Sequence, residues 1–224
     1  QISQYDQPLN IDGHLDLPGG TRIGVERAHL EEDTGKSTHV GGSGGRIHGS
    51  EHSLIDFNRA GVPLVEIVSR PDIRTSDEAK QYVSELRAIL VAIGASDAKM
   101  EEGSMRCDAN VSVHKVGAPF GTRCEVKNLN SVRFMMNAIS HEAHRQVQLL
   151  EQPGGCVEQE TRGYNESNGT TFRLRGKEDA PDYRYMPDPN LPPVLLSEMQ
   201  IQELRDRLPE LPDAKRARLS KQYG

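Results

Sequence analysis

The sequence predicts an α+β domain in which helices back an antiparallel sheet, and three observations indicate this class. Residues 106–113 and 123–127 alternate polar and apolar side chains, as strands with one buried face do. Two longer segments repeat apolar residues every three or four positions, which is typical of amphipathic helices. From about Ser197 onward the strand signals disappear and charged helical sequence follows. We therefore expect one domain over residues 1–196 and the start of a helical domain over residues 197–224.

The composition fits a soluble protein with a hydrophobic core. The 224 residues are 35% hydrophobic and 27% charged, and no apolar run approaches the roughly 20 residues of a membrane span. The first residues lack the charged and apolar regions of a signal peptide, so we expect a cytoplasmic protein. The net charge of −6 gives no general affinity for nucleic acid, which needs clustered Lys and Arg. Because the chain starts at Gln1 without an initiator Met, we expect that its natural beginning is missing.

The three cysteines are predicted to be reduced thiols. Their number is odd and they form no Cys-x-x-Cys pair, which argues against a disulfide framework and against a zinc knuckle. Cys107 and Cys124 fall at apolar positions of the alternating segments, so we expect small core side chains there rather than catalytic nucleophiles.

A glycine-rich stretch at residues 38–53 is predicted to be an exposed, flexible loop. It contains the run Gly41-Gly42-Ser43-Gly44-Gly45 and few side chains that could pack. We expect it to join two ordered parts of the chain.

Two scaffold helices are predicted to pack on the sheet. The first covers residues 75–93, where Thr75 and Glu78 can form a capping box. The second begins near Asn130 or Ser131 and ends before Pro153. The expected buried stripe of the second helix comprises Val132, Met135, Ile139, Ala143, Val147 and Leu150.

Two shorter helices are predicted near the C-terminus. One begins at Ser197 and ends at Pro209, and the other begins after Pro212. Four basic residues cluster in the last helix, namely Lys215, Arg216, Arg218 and Lys221. The cluster suits phosphate contacts, and a solvated helix face explains it at least as well, so the sequence leaves both interpretations open.

The two alternating segments are predicted to form an antiparallel hairpin. Residues 114–122 join them and contain Gly117, Pro119 and Gly121, which suit a turn. If the strands pair, their polar faces coincide within cross-strand reach. The shared polar face would then hold Arg106, Asp108, Arg123, Glu125 and Lys127.

Two interpretations of this polar face follow. A solvated face of an antiparallel sheet with ion pairs explains it without any ligand. A metal and phosphate site also explains it, because carboxylate oxygens suit Mg²⁺ and the cations of Arg and Lys neutralise phosphate. Two further acidic clusters, Glu31-Glu32-Asp33 and Glu101-Glu102, favour the second interpretation, because neighbouring carboxylates repel unless a cation lies between them.

Motifs along essentially the whole chain resemble those of one known family. They include His29-Leu30-Glu31-Glu32-Asp33, Met100-Glu101-Glu102-Gly103-Ser104, Arg106-Cys107-Asp108-Ala109-Asn110, Glu125-Val126-Lys127-Asn128-Leu129-Asn130-Ser131 and Asp182-Tyr183-Arg184-Tyr185. In this order they resemble the GatB family, one of the components of aspartyl/glutamyl-tRNA amidotransferases. The chain departs from that family in the glycine-rich insertion around residues 41–52 and at Met186, where the family usually has Phe. The family's opening strand, whose Glu and His contribute to its metal site, would precede Gln1, so we expect this chain to bind that metal poorly.

The resemblance implies a cradle-shaped fold similar to that of glutamine synthetase and the guanidino kinases, followed by a helical domain. It implies ATP- and Mg²⁺-dependent phosphorylation of the side-chain carboxylate of Glu-tRNA(Gln) or Asp-tRNA(Asn), then amidation by ammonia. The implied partners are mischarged tRNA and, in a heterotrimer, an amidase (A) subunit and a small C subunit, with no membrane and no DNA. The implied compartment is the bacterial cytoplasm, or the matrix of an organelle in a eukaryote. The sequence does not distinguish the two tRNA substrates.

The resemblance also assigns roles to residues. The implied catalytic residues are Glu32, Asp108, Glu125 and Lys127. The implied metal ligands are Glu32, Asp108 and Glu125, with Glu31 and Glu102 as alternatives. Phosphates would contact Arg106, Arg123 and Lys127, and the nucleotide or aminoacyl end would contact Asn110, Asn128, Asn130 and Ser131. Two other functions stay open, a stand-alone ATP-dependent ligase or kinase of a small molecule and a non-catalytic tRNA-binding scaffold protein.

Overall fold

The structure is a computed structural model that describes residues 2–41, 50–176 and 186–224. The chain divides into two compact units, residues 1–73 and residues 74–224. The predicted α+β class is confirmed, whereas the cradle shape and the domain division at residue 197 stay predictions. No helix in the described part of the chain is both long and apolar enough to cross a membrane.

The first unit holds two antiparallel sheets. Strands β1 (Asn10–Asp16), β2 (Arg22–Glu32) and β5 (Pro63–Ser69) form a three-stranded sheet with β2 in its centre. Strands β3 (Lys36–Val40) and β4 (His52–Asp56) form a two-stranded sheet. The central strand β2 therefore has hydrogen-bonded neighbours on both sides.

The β3–β4 hairpin corrects the prediction that the whole glycine-rich stretch is a flexible loop. Residues 38–40 pair with residues 52–54 in an antiparallel ladder. The β-branched side chains of Thr38 and Val40 favour extended backbone, which the neighbouring glycines had obscured in the sequence. The centre of the stretch, residues 42–49, lies outside the described residues.

Four helices lie in the described residues of the second unit, and they follow the predicted positions closely. They are α1 (Ser76–Ala92), α2 (Val132–Leu150), α3 (Glu198–Asp206) and α4 (Pro212–Tyr223). Helix α1 has the predicted capping box, in which the side chains of Thr75 and Glu78 each accept a hydrogen bond from the other's backbone N–H. Ser131 and Ser197 cap α2 and α3, and Pro212 occupies the first turn of α4.

A four-stranded sheet forms the centre of the second unit. Its strands in spatial order are β6 (Cys107–Val111), β7 (Cys124–Leu129), β8 (Glu160–Asn165) and β9 (Thr170–Gly176). The β6–β7 pair is the predicted antiparallel hairpin, and β8–β9 is a second antiparallel pair. Strands β7 and β8 are parallel because α2 carries the chain back across the sheet between them. The sheet is therefore mixed, whereas the sequence predicted an antiparallel sheet.

The buried face of α2 differs from the predicted apolar stripe. Val147 and Leu150 are 42% and 46% exposed, whereas Glu142 and Gln146 are fully buried beside Met135. Gln146 donates a hydrogen bond to a backbone carbonyl of β6, and Glu142 accepts one from a threonine hydroxyl of β9. These partners on the sheet pair the Glu142 carboxylate and the Gln146 amide nitrogen, which favours their inward position, whereas Gln146 Oε1 has no hydrogen-bond partner among the described residues.

Candidate functional site

The β6–β7 hairpin has the predicted buried and polar faces. Cys124 and Val126 are fully buried, while Glu125 and Lys127, which alternate with them, are only partly buried. Asn110 on β6 pairs with Glu125 across the ladder. The apolar face packs in the core, so the polar side chains are available on the opposite face.

Lys127 brings Asp108 and Glu125 together on this polar face. Its Nζ lies 3.1 Å from Glu125 Oε1 and 3.5 Å from Asp108 Oδ2. The register of β6 shifts between Cys107 and Ala109, and such an irregularity re-aims the side chain within it, here that of Asp108. Three of the five residues predicted on the polar face therefore meet, and we refer to Asp108, Glu125 and Lys127 as the hairpin group.

Two opposing influences act on the charge of Lys127. Partial burial disfavours its ammonium form, but the carboxylates of Asp108 and Glu125 outweigh this and raise the pKa of Lys127 above its ordinary value. Lys127 is therefore a cation throughout the physiological pH range. A fixed positive charge here can neutralise the two carboxylates or phosphate oxygens that approach them.

Thr161 on β8 provides a second contact for Glu125. Its hydroxyl donates a hydrogen bond of 3.3 Å to Glu125 Oε2, while Lys127 contacts the other carboxylate oxygen. Both carboxylate oxygens of Glu125 thus contact other side chains of the protein. Thr161 lies in the segment Gln159-Glu160-Thr161-Arg162, which also resembles the family, but the sequence assigned it no role because its contact with Glu125 depends on the parallel pairing of β7 with β8, which no local pattern indicates.

A cavity of about 370 Å³ lies at one end of the hairpin. Its lining includes three residues predicted to bind metal or nucleotide, Glu102, Arg106 and Asn130. Arg106 precedes β6 and Asn130 follows β7, so the strand pairing brings them to the same end. Glu102 forms an ion pair with Lys99 at 2.8 Å, so a metal ion there would compete with Lys99 for this carboxylate.

Arg123 lies at the opposite end of the hairpin from Arg106. It immediately precedes β7, whose first residue pairs with Val111 at the end of β6. At about 3.3 Å per residue, the two arginine backbones are roughly 20 Å apart along the strand direction. The structure therefore does not bring the two arginines into one cluster, and each flanks the hairpin group from a different end.

The remaining predicted residues of this unit have varied surroundings. The Ser131 hydroxyl accepts a hydrogen bond of 3.1 Å from the Phe134 N–H and so caps α2. The side chain of Asn128 lies outside what the structure describes, as do residues 182–185. The predicted roles of these residues stay predictions.

Glu31 and Glu32 lie at the end of β2 in the first unit. Successive side chains of a strand point to opposite faces, so Glu31 shares a face with His29 and Glu32 lies on the other face. Glu32 accepts a hydrogen bond of 3.3 Å from the backbone N–H of Ile2. The carboxylates of Glu31 and Glu32 are thus not positioned to bind one ion together on a single face of the sheet.

A buried ion-pair network anchors α2 behind the hairpin, and no sequence pattern had indicated it. The Glu142 carboxylate accepts hydrogen bonds from Arg145 at 2.7 Å and Thr171 at 2.9 Å, and lies 3.1 Å from Arg162 Nε. Burial disfavours the ionised form of Glu142, but its hydrogen bonds outweigh that effect and lower its pKa. Arg162 also pairs with Glu160. The network ties α2 to β8 and β9, and β8 is the strand that pairs with β7 at Glu125.

Two of the four basic residues of α4 have acidic partners. Arg216 Nη2 lies 2.6 Å from Glu85 on α1, and Arg218 forms two hydrogen bonds with Glu210 at 2.7 and 2.8 Å. These pairs lessen the positive charge that the cluster offers to phosphate. The structure thus favours a solvated, ion-paired helix face for this half of the cluster.

Comparison with known proteins agrees with the motifs. The family model of the GatB/GatE catalytic domain matches residues 1–202. The B subunit of a mitochondrial glutamyl-tRNA(Gln) amidotransferase from Mycosarcoma maydis is 57% identical over 239 residues, covering 95% of this chain and 37% of the relative. The B subunit of an aspartyl/glutamyl-tRNA(Asn/Gln) amidotransferase from Frankia casuarinae is 53% identical over 233 residues, covering 100% of this chain and 46% of the relative. The chain thus spans less than half the length of these curated relatives.

Proposed function

This chain belongs to the family of GatB/GatE catalytic domains, and from that premise we propose that it activates the side-chain carboxylate of a mischarged tRNA for amidation. The observation that carries the proposal is the hairpin group, in which a fixed cation lies against two partly exposed carboxylates. The proposed substrates are ATP and Glu-tRNA(Gln), Asp-tRNA(Asn) or both. The names of the relatives, which include both kinds of tRNA, support this choice.

The proposed reaction has two steps, because a carboxylate is too poor an electrophile for ammonia to convert directly into an amide. In the first step a carboxylate oxygen attacks the γ-phosphorus of ATP, the bond to the bridging oxygen breaks, and ADP leaves. In the second step ammonia attacks the acyl carbon and inorganic phosphate leaves with the bonding electron pair. Catalysis of such transfers consists mainly of positioning and charge neutralisation.

The donor set of the hairpin group fits Mg²⁺. Carboxylate oxygens are the ligands that Mg²⁺ takes from proteins, and it keeps waters and substrate phosphates as its other ligands. Asp108 and Glu125 offer such oxygens on one face. A bound Mg²⁺ would neutralise phosphate charge as a Lewis acid.

The protein's own cations complete the proposed site. Lys127 keeps its charge next to the carboxylates of Asp108 and Glu125. If one of these carboxylates binds a metal ion, the Lys127 ammonium can bind a phosphate oxygen instead. Arg106 lies in the cavity at one end of the hairpin and Arg123 lies at the other end, so we propose that they contact different parts of the substrates. Asn110 and Asn130 are proposed to hydrogen-bond to the nucleotide or to the aminoacyl end.

We also propose that the chain works with partners. Its relatives are named as B subunits of amidotransferases, which supports an assembly with an amidase subunit that releases ammonia and with a small third subunit. The proposed compartment is the bacterial cytoplasm or an organelle matrix, since the relatives include bacterial and mitochondrial proteins.

The first step can be tested without ammonia. With γ-labelled ATP, mischarged tRNA and no glutamine, the assembled complex should form ADP and a labelled acyl phosphate only when the tRNA carries Glu or Asp. Lys127→Met should lower this rate by about 100-fold, because loss of one preorganised charge-stabilising group costs about that much. Lys127→Arg, which keeps the charge, is the matched variant and should retain more activity. If ADP formation does not depend on the mischarged tRNA, the chain is a scaffold or a small-molecule kinase instead.

A further inference from the structure

The turn between β8 and β9 carries the only Asn-Gly pair in the sequence, Asn168-Gly169. Residues 166–169 connect the two strands, and the ladder pair next to the turn is Asn165 with Thr170. Gly169 has a φ of +70°, in the left-handed region that favours glycine, so the turn itself requires this residue. Asn168 is exposed. A solvent-exposed side-chain amide therefore lies directly before a backbone nitrogen that no Cβ shields.

An asparagine before a glycine holds two groups that can react with each other. The backbone nitrogen of the glycine can attack the side-chain carbonyl carbon Cγ, because the glycine has no side chain to obstruct the approach. The new N–C bond closes a succinimide ring, the bond from Cγ to Nδ2 breaks, and Nδ2 leaves with the displaced proton as ammonia. Water then opens the ring at either carbonyl and yields aspartate or isoaspartate. The reaction consumes nothing except water.

Thr170 donates two hydrogen bonds to the oxygen on which negative charge would develop. Its backbone nitrogen lies 3.1 Å from Asn168 Oδ1, and its hydroxyl oxygen lies 2.7 Å from the same atom. When the nitrogen of Gly169 adds to Cγ, Oδ1 becomes an oxyanion, and donors that are already in place stabilise such a charge. The turn thus holds an electrophile, its neighbouring nucleophile and two oxyanion donors in consecutive residues.

One contact in the turn opposes the reaction. The N–H of Gly169 donates a hydrogen bond of 2.9 Å to the carbonyl oxygen of Asn165. The nitrogen must lose its proton to attack a carbonyl, so this hydrogen bond has to open first. It lies at the tip of the hairpin, beside the exposed residues 166–168, where local opening costs little free energy. The contact therefore slows the reaction but does not prevent it in the folded chain.

We propose that Asn168 is a site of spontaneous deamidation and that Thr170 supplies the donors that stabilise the oxyanion. The product carries one additional negative charge at the tip of the hairpin. Isoaspartate also inserts a methylene group into the main chain of the turn, and so disturbs the neighbouring ladder pair of β8 and β9. This site goes beyond the proposed function, because its reaction requires neither ATP nor tRNA.

The test is incubation of the purified chain at mildly alkaline pH, followed by peptide mass spectrometry with fragmentation that separates Asn168 from Asn165. We expect the amide-to-acid mass change at Asn168 before any other asparagine, with both aspartate and isoaspartate formed. Thr170→Val keeps the branched shape but removes the hydroxyl, so it should slow the change about fivefold. Thr170→Ser keeps the hydroxyl and should react at about the wild-type rate. Circular dichroism confirms that each variant is folded.

Two results would overturn the proposal. One is a folded wild-type chain in which Asn168 keeps its amide while another asparagine loses its own. The other is a Thr170→Val variant that reacts as fast as wild type or faster, which would mean that the hydroxyl only stabilises the turn.

A second variant decides the matter if Thr170→Val does not fold. Asn168→Gln has a longer side chain that closes a ring less readily, so the acidic species seen on isoelectric focusing of the incubated wild type should not form. Equal accumulation of that species in Asn168→Gln and wild type would place the reaction elsewhere and refute the proposal.

Discussion

Glu125 and Thr161 are direct partners on the parallel strands β7 and β8, and the Thr161 hydroxyl donates a hydrogen bond of 3.3 Å to the Glu125 carboxylate. Lys127 contacts the other oxygen of the same carboxylate at 3.1 Å. Glu125 is therefore restrained from two elements of the sheet. Its orientation depends on a strand that the hairpin itself does not contain.

Thr161→Val is expected to lower the rate of ATP-dependent amidation about fivefold. The substitution keeps the shape but removes the donor, and a hydrogen bond of this partly exposed kind contributes about 1 kcal/mol. Steady-state kinetics of the assembled complex would measure this rate. We expect kcat to fall by a larger factor than the factor by which the KM for ATP changes. Thr161→Ser retains the hydroxyl and should restore most of the rate. Equal rates for the valine and serine variants would show that this hydrogen bond does not position Glu125.

Glu142→Gln is expected to destabilise the protein by about 3 kcal/mol. It leaves the buried Arg162 with one carboxylate fewer, and breaking a buried ion pair from one side costs about 3–5 kcal/mol. Urea denaturation followed by circular dichroism would measure the difference. Glu151→Gln, at the exposed end of the same helix, is the control and should change stability by no more than about 0.5 kcal/mol. Equal stabilities of the two variants would contradict the role assigned to the network.

The contribution of Glu142 should also depend on pH. Because its pKa in the folded protein is lowered from the ordinary value of 4.5, its ionised form stabilises the fold above that pH. The stabilisation is lost as the pH falls through the lower folded pKa. The stability difference between wild type and Glu142→Gln should therefore be largest near neutral pH and shrink below about pH 4.5. A difference that stays constant down to acid unfolding would contradict this assignment.

Only one of the three thiols should react in the folded protein. Burial, together with the charge of Asp108, raises the pKa of Cys107 to about 11, and burial with the nearby Glu142 raises that of Cys124 to about 11. Cys156 is exposed. A thiol reagent at pH 8 should therefore label one site before unfolding and three after it. Cys156→Ser should abolish the label on the folded protein, and rapid labelling of that variant would contradict the burial of the other two.

Local signals explain why the helices and the hairpin could be predicted. The capping box at Thr75 and the cap at Ser131 use residues within one turn of the helix start, so the sequence alone locates them. The alternation in β6 and β7 likewise spans only a few residues. For the same reason Asp108, Glu125 and Lys127 could be placed on one face before their distances were known.

Non-local pairing explains what could not be predicted. The inward positions of β2 include His29, a polar residue, so hydrophobic alternation does not mark that strand. Glu142 and Gln146 break the apolar stripe of α2 because their partners come from strands distant in sequence. Thr161 reaches Glu125 only through a parallel crossover. In each case the missing information is which strand lies next to which.

The central claim is that the Glu125 carboxylate takes part in activating the substrate. The most direct measurement is the rate of amidated aminoacyl-tRNA formation by the assembled complex carrying Glu125→Gln, with either glutamine or free ammonia as the nitrogen donor. We predict a loss of about 100-fold with both donors while tRNA affinity stays within about twofold of wild type. Amidation at the wild-type rate with either donor would contradict the claim and leave the hairpin group as an ion-pair network.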